Sequence, residues 1–415
     1  MEHSLDRYDY FYMFVLIIYM GQATPETTHM FSNFTFSLAF FLPIILTFIL
    51  WTRKPISLFD KKLLNTLLIY LIWAALSLYK YGNYSSGEFS YHFFMVYAIL
   101  IAYIQVSIYG YRLLEIYESV MVWICKVTIC LWLISVLIPI SREFFSMFPT
   151  TYIGTNVGYI FEWNERSIRN SGCAWEPGRY AIMVALAVYC NICRNGIRFR
   201  NNINIWWFLV SIASTLSTTG ISTILVLYSI YIIKHLSTRT VPIYLIFIIP
   251  IIVGLIQLDF MGGKISTRLD DAQDVTRWKN NFAWHNENTA KDKYISSIDR
   301  FEATVFEWQN FKQDPLLGYG RNTKNSYFYR NLSSHHSLAT GFMKVFAMYG
   351  VFLGIYFYYI LYLSSMTISK ESKEKQKYGL FILISLSSIS YQVLAIPIFT
   401  SFWFYGLFVN KTPSD

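Results

Sequence analysis

Residues 114–140 read LEIYESVMVWICKVTICLWLISVLIPI, and the last fourteen of them carry no charge. A hydrocarbon core of about 30 Å asks for roughly 20 mostly apolar residues per helix. The same texture recurs along the whole chain. It predicts spans at approximately 9–22, 31–51, 63–79, 89–109, 114–140, 177–193, 203–218, 220–236, 241–258, 338–364, 379–395 and 397–410. Of the 415 residues 54% are hydrophobic and 14% charged, whereas a soluble domain carries about 25% charged residues. A water-soluble enzyme is therefore excluded. The expected fold class is an all-α polytopic membrane protein with about twelve transmembrane helices.

Sidedness follows from where the net charge of +9 sits. Alternate short loops hold Arg53, Lys54, Lys61 and Lys62; Arg112; Arg194, Arg198 and Arg200; Lys234 and Arg239; and Lys370, Lys373, Lys375 and Lys377. The opposite short loops are nearly free of basic residues. This bias puts both termini in the cytoplasm and accounts for the basic excess without nucleic acid. The first apolar run lacks the basic flank and small-residue site of a cleaved signal. Cys125, Cys130, Cys173, Cys190 and Cys193 are odd in number and scattered, unlike a disulfide framework. Cys190 and Cys193 form a CxxC with no second pair to complete a zinc site, and read as helix filler.

Two long loops fall on the outer side, at 141–176 (loop A) and 259–337 (loop B). They divide the chain into helices 1–140, loop A, helices 177–258, loop B and helices 338–415. Loop B holds eleven Lys/Arg against ten Asp/Glu, the composition of an exported module that does not obey the charge rule. In it Ile295, Ile298, Phe301, Val305, Trp308 and Phe311 recur every three or four residues, as on one face of a helix. Asp314-Pro-Leu-Leu-Gly-Tyr-Gly320 then supplies turn chemistry. Trp163, Trp175, Trp278, Trp284, Trp308, Tyr319, Tyr327 and Tyr329 stud both loops. Their rings suit sugar faces and membrane interfaces alike.

Candidate chemistry gathers at helix mouths. Loop A ends in Arg166, Arg169, Gly172, Trp175, Glu176, Pro177 and Arg179. Arginines at a helix N-terminus suit a phosphate, although arginines also extend toward lipid headgroups. Loop B offers Arg268, Arg277, Arg300, Arg321 and Arg330. Arg300 borders the apolar face beside Phe301, which favours docking, while a solvated face is the plainer reading for the others. His335 and His336 close loop B and are candidate general bases. Lys344 lies in span ten at i+8 from His336, and Lys126 lies in span five; charges inside a membrane are functional candidates. Asp270-Asp271 is too little for a metal site, and no nucleotide-binding loop is present, so activation must come with the substrate or from a gradient.

These residues resemble the bacterial O-antigen polymerase/ligase family. Arg169-x-x-Gly172-x-x-x-Glu176-Pro177 is similar to its first arginine motif, and Arg300 followed by Asp314–Gly320 to its second. The runs Ser217-Thr-Thr-Gly220 and Ala339-Thr-Gly-Phe342, leading to Tyr349, Gly350 and Gly354, also fit. One string departs: Ser334-His335-His336-Ser337 stands where the ligases often have His followed by Asn, with Thr340 nearer the Asn position. Either histidine is thus the equivalent.

The resemblance implies the C-type membrane glycosyltransferase architecture in the bacterial inner membrane, with the active site facing the periplasm. It implies donor and acceptor glycans on undecaprenyl diphosphate, no cofactor and no metal. Membrane lipids, a chain-length regulator and a flippase are the implied partners, and nucleic acid is not one. By this reading Arg169 and Arg300 bind the donor diphosphate, assisted by Arg166, Arg179 and Lys344. Glu176, Gly172 and Arg277 support them, and His335 or His336 takes the acceptor proton. Fixed cations suit a diphosphate leaving group. The polymerase is the expected activity, with inversion at the anomeric centre. The alternatives are a ligase acting on lipid A–core, a capsule or exopolysaccharide polymerase and, in another class, a glycolipid flippase. A flippase would concentrate its charges near the midplane.

Overall fold

The computed structural model describes residues 5–21, 34–82, 86–141, 149–152, 155–158, 161–164, 167–174, 176–197, 202–235, 300–327, 341–394 and 396–409. Helices α1 (Arg7–Gly21), α2 (Phe34–Arg53), α3 (Lys61–Tyr81), α4 (Ser86–Tyr109) and α5 (Arg112–Leu137) come first. Strands β1 (Pro149–Tyr152), β2 (Thr155–Gly158), β3 (Phe161–Asn164) and β4 (Ser167–Asn170) follow. Then come α6 (Pro177–Asn195), α7 (Ile203–Thr215), α8 (Thr218–His235) and α9 (Arg300–Gln313). The chain closes with α10 (Phe342–Glu371), α11 (Gly379–Ser390), α12 (Pro397–Trp403) and α13 (Tyr405–Phe408).

Among the described residues four helices are long and apolar enough to cross a bilayer: Lys61–Tyr81, His92–Tyr109, Arg112–Leu137 and Phe342–Glu371. Leu42–Arg53, Ile203–Thr215, Thr218–Lys234 and Gly379–Ser390 are shorter apolar helices. The expected span at 241–258 lies outside the described residues. The expected span at 397–410 is not one helix: α12 and α13 meet at Phe404, which leaves helical geometry. Together they measure about 18 Å, too short to cross, and Ile398, Phe399, Phe402, Trp403, Phe404 and Tyr405 are buried.

Helix α3 is apolar on the outside. Leu64, Leu68, Leu71, Ile72 and Leu76 are exposed at helical spacing, while Thr66, Tyr70, Trp73 and Ser77 face the protein. That inversion of ordinary amphipathicity suits lipid as the surrounding solvent. Helix α6 is different, because every residue from Tyr180 to Cys193 is buried. A helix apolar all round belongs in the interior, and its small residues admit close neighbours. A side chain on Gly220, which opens α8, would collide with the Cβ of Ala181. Cys190 and Cys193 are buried free thiols in this helix.

Part of the basic excess is structural. Lys54 donates to both carboxylate oxygens of buried Asp9, at 2.8 and 2.7 Å, and Tyr109 donates to the same carboxylate. Arg194 pairs with buried Glu118 at 2.6 Å. Lys126 is exposed on α5, its Nζ 5.7 Å from the Trp207 ring centroid, so it lies against an indole rather than a buried acid.

The all-α expectation fails in loop A. Strands β1 to β4 form an antiparallel meander in the order β1-β2-β3-β4, with Tyr152 opposite Thr155 and Asn164 opposite Ser167. The cause is legible in the residues: Thr, Tyr, Val, Ile, Phe and Trp dominate 150–168, and they favour a pleated surface. Breaks of two residues between such runs are hairpin spacing.

Candidate active site

The site is organised by a broken helix. Helix α10 is 30 residues long and leaves helical geometry once, at Gly350 (φ 72°, ψ −179°). That conformation favours glycine and strands the neighbouring backbone groups. The Asp314–Gly320 turn supplies their partners. Tyr319 N–H donates to Ala347 O at 2.9 Å, Gly320 N–H to Met348 O at 3.1 Å, and Val351 N–H to Pro315 O at 2.7 Å. Interrupted helices are tolerated at membrane depth only where something restores those bonds. Gly318 and Gly320 both have positive φ. Helix α3 fastens the turn from its other side. Trp73 Nε1 donates to Leu317 O at 3.0 Å, Tyr81 donates to Gly318 O at 2.8 Å, and Lys80 and Tyr81 both bond the Asp314 carboxylate.

Helix α9 is thereby laid against α10, with Phe311 of the expected apolar face packed on Phe346 of α10; the side chains of Phe301 and Val305 lie outside the described residues. Ala303, Glu307 and Asn310 are buried, while Trp308 is exposed and stacks on Phe311. The apolar count favoured Trp308; the structure buries a carboxylate because it has partners. Asn310 Nδ2 donates to Glu307 Oε2 at 3.0 Å and Tyr319 to Oε1 at 3.4 Å, and the charge of Lys344 acts on the same group. Burial holds the Glu307 carboxyl above its usual range, with Lys344 opposing. Removed from water, Glu307 retains its proton longer in the folded chain than in the unfolded one. Its contribution to stability is thus complete below about pH 4.5, the unfolded value, and is lost as pH rises through the raised folded value. Thermal unfolding of the detergent-solubilised protein is expected to show that loss, and Glu307→Gln to remove this component. Parallel pH profiles for the two proteins would contradict the assignment.

Two buried cations adjoin this point. Lys344 sits in the upper segment of α10, and Arg321 follows the turn directly. Arg321 Nη1 donates to the Tyr349 hydroxyl at 2.6 Å. Among the described residues no carboxylate lies within ion-pair distance of Arg321. Tyr70, Trp73 and His92 flank it from α3 and α4.

Loop A reaches the same end of the bundle. Arg169 Nε donates to Thr215 O at 3.0 Å and Nη2 to Leu216 O at 3.4 Å, covering carbonyls where α7 ends. Asn170 Nδ2 bonds Ser214 at 3.0 Å. Next to this turn, Thr219 shares a hydrogen bond with Ser390 at 2.7 Å, and Gly341 N–H donates to Ser388 O. The end of α11 therefore joins the Arg169 turn to the start of α10. Glu176 is the N-cap residue of α6, Pro177 opens the helix, and Arg179 lies half-buried in its first turn. Gly172 has φ +55°, and a Cβ there would penetrate the Tyr180 ring. Gly172→Ala is expected to lower thermal stability by at least the 1–2 kcal/mol of a left-handed residue, because Tyr180 is fixed by Thr128 at 2.7 Å. An unchanged unfolding temperature would show that the turn relaxes freely.

Of the residues singled out in the sequence, the structure brings Lys344 into the charged cluster and Arg169 to the neighbouring helix end. His335, His336, Arg166, Arg277, Arg268, Arg330 and Trp175 lie outside the described residues. Arg300 opens α9 seven residues before Glu307, and its side chain is also outside them. Sequence reasoning undervalued Arg321, named Tyr349 only as part of a motif, and missed Glu307, Tyr70 and His92. The available signal was position: Arg321 follows the turn at once, and Tyr349 precedes Gly350.

The fold and this cluster define a helical membrane protein with a buried, cation-rich site at the joint between an interrupted helix and a loop helix. Residues 203–358 match the family model described as O-antigen ligase. This segment, rather than the whole chain, thus resembles the O-antigen polymerase/ligase family, whose members are glycosyltransferase-like enzymes. The matched segment includes α7, α8, α9, the Asp314–Gly320 turn, Arg321, Lys344 and Gly350. No curated protein matches the chain.

Proposed function

We propose that the protein is an O-antigen polymerase. It transfers a growing glycan from undecaprenyl diphosphate to a lipid-linked repeat unit at the periplasmic face of the bacterial inner membrane. The observation that carries this reading is the buried Arg321 guanidinium, with Lys344 near it and Glu307 the one carboxylate in the cluster among the described residues. Buried charge wants a counter-charge, and a diphosphate provides one. In the transfer, the bond from the anomeric carbon to the diphosphate oxygen breaks and its electron pair leaves with the diphosphate. The acceptor hydroxyl oxygen forms the new bond, and its proton passes to a base.

In this reading Arg321 and Lys344 join the arginines named from the sequence in neutralising the leaving group. Arg169 and Arg300 bind the donor, assisted by Arg166 and Arg179; Arg277 and Glu176 support them, Glu176 by orienting an arginine. His335 or His336 is the base, attack opposite the leaving group inverts the sugar, and no metal takes part. Both termini lie in the cytoplasm, and helices 1–140, 177–258 and 338–415 carry loops 141–176 and 259–337 outward.

The family description favours a second reading, a ligase that delivers the glycan to lipid A–core. Deletion of the gene separates the two on a lipopolysaccharide gel. Collapse of the ladder to core plus one repeat is expected. Loss of all O-antigen from the core, with polymer retained on lipid, would instead establish the ligase. An unchanged ladder would turn the question to capsule polymers or to lipid transport.

A further inference from the structure

The function proposed above leaves a cluster on α3 and α4 without a role. Tyr70, Trp73 and Tyr349 form a continuous aromatic wall, with Trp73 5.7 Å from the Tyr70 ring and 4.8 Å from that of Tyr349. The His92 ring stands 6.0 Å from Tyr70 and 5.9 Å from Trp73. Its Nδ1 shares a hydrogen bond of 3.0 Å with the Tyr70 hydroxyl. His92 and Arg321 are 7% and 8% exposed. The charge of Arg321 is close enough to act on the His92 ring. Each carries a buried nitrogen with no hydrogen-bond partner among the described residues, Nε2 in His92 and Nε in Arg321. Such orphan atoms are rare in native interiors and call for an explanation. Two such atoms in one cluster, one of them on a guanidinium with no carboxylate partner among the described residues, share one explanation.

We propose that His92 and Arg321 together bind one phosphoryl group, Arg321 through Nε and His92 through Nε2, with Tyr70 as the positioning residue. With Tyr70 donating to Nδ1, the neutral ring carries its hydrogen on Nε2, so the imidazole presents a donor to an anion. Trp73 and Tyr349 fix the two donors by packing. This assignment rests on the lipid-diphosphate reading and extends it to α3 and α4, outside the segment that the family pattern covers. It adds a contact made by the helical bundle itself to those made by the loops.

The test uses the full chain purified in detergent, with inorganic pyrophosphate as the probe and binding read by calorimetry. Two substitutions of His92 oppose each other. Gln keeps an N–H near the Nε2 position but loses the ring; Phe keeps the ring but loses the donor. Phosphoryl binding predicts that His92→Phe weakens pyrophosphate affinity about tenfold, roughly 1.4 kcal/mol, while His92→Gln stays within about threefold of wild type. Tyr70→Phe releases the tautomer and gives an intermediate loss.

A merely space-filling His92 predicts the reverse order in thermal stability and no effect of Phe on affinity. Equal binding by wild type and His92→Phe overturns the proposal, as does a wild-type protein that binds no pyrophosphate at millimolar concentration. The reaction reading is tested separately by polymer formation. A chain that makes no polymer yet binds pyrophosphate in the predicted order loses the reading and keeps the site. A chain that makes polymer with His92→Phe at wild-type affinity keeps the reading and loses the site.

Discussion

Alanine at position 350 is expected to remove the folded protein from the membrane. The residue has φ 72°, and a Cβ there would fall on the carbonyl of Leu316. The intrinsic left-handed penalty is about 1–2 kcal/mol. The collision is worse, because its target is backbone rather than a flexible side-chain tip. Relief requires the Asp314–Gly320 turn to withdraw. Withdrawal breaks the bonds from Tyr319, Gly320 and Val351 that repair α10, and loosens those from Trp73 and Tyr81. These losses are cooperative, and single-residue changes that combine strain with a broken network lie at the top of the usual range, about 4–5 kcal/mol. Fluorescence-detected size exclusion of a tagged protein should show loss of the monodisperse peak for Gly350→Ala. Substitution at an exposed site such as Phe352 should leave it intact. A normal peak for Gly350→Ala would mean that the turn does not plug the break.

Arg321→Ala should separate activity from stability. Removal of one preorganised charge-stabilising donor costs on the order of 10² to 10³ in rate, and polymer formation in membranes, normalised to protein level, should fall by that factor. Arg321→Lys should recover part of the loss, since it restores charge but not the planar fork. Stability should move the other way. The wild-type guanidinium is buried against the Tyr349 hydroxyl, with no carboxylate partner among the described residues, and truncation removes that charge rather than leaving one unpaired. The unfolding temperature of Arg321→Ala is therefore expected to match or exceed that of wild type. A variant that loses stability and activity together would make Arg321 a structural residue, and near-normal polymer would remove it from the reaction.

Membrane character was legible because burial in lipid demands long apolar runs, and α3, α4, α5 and α10 obey that demand. The turn at Asp314–Gly320 was legible because proline and two glycines announce it. Its partner was not, because nothing local in Tyr349-Gly350 says that the helix breaks there or what fills the gap. Helix α9 shows the limit of apolar periodicity. Trp308 satisfies the count and is exposed, whereas Glu307 violates it and is buried by virtue of Asn310, Tyr319 and Lys344. Arg169 was legible as a residue at a helix end, but the end it meets is the carbonyl terminus of α7. The meander of loop A carried its own β-rich signal, in residues that lie between the apolar spans.

The interruption at Gly350 also sets a height. From Val351 to Glu371 the lower segment of α10 is about 31 Å of helix at 1.5 Å per residue, the thickness of a hydrocarbon core by itself. With that segment filling the oily layer, the plane of lipid headgroups falls at the break. Lys344, six residues before it and buried in the protein, then lies at the level of the phosphates rather than of the acyl chains. Under the function proposed above, a lipid-borne diphosphate donor would lie in that plane, so the protein would meet it at the level where it rests. Thickening or thinning the bilayer would move that float line relative to Arg321, making the host's acyl-chain length a dial on how well the two meet.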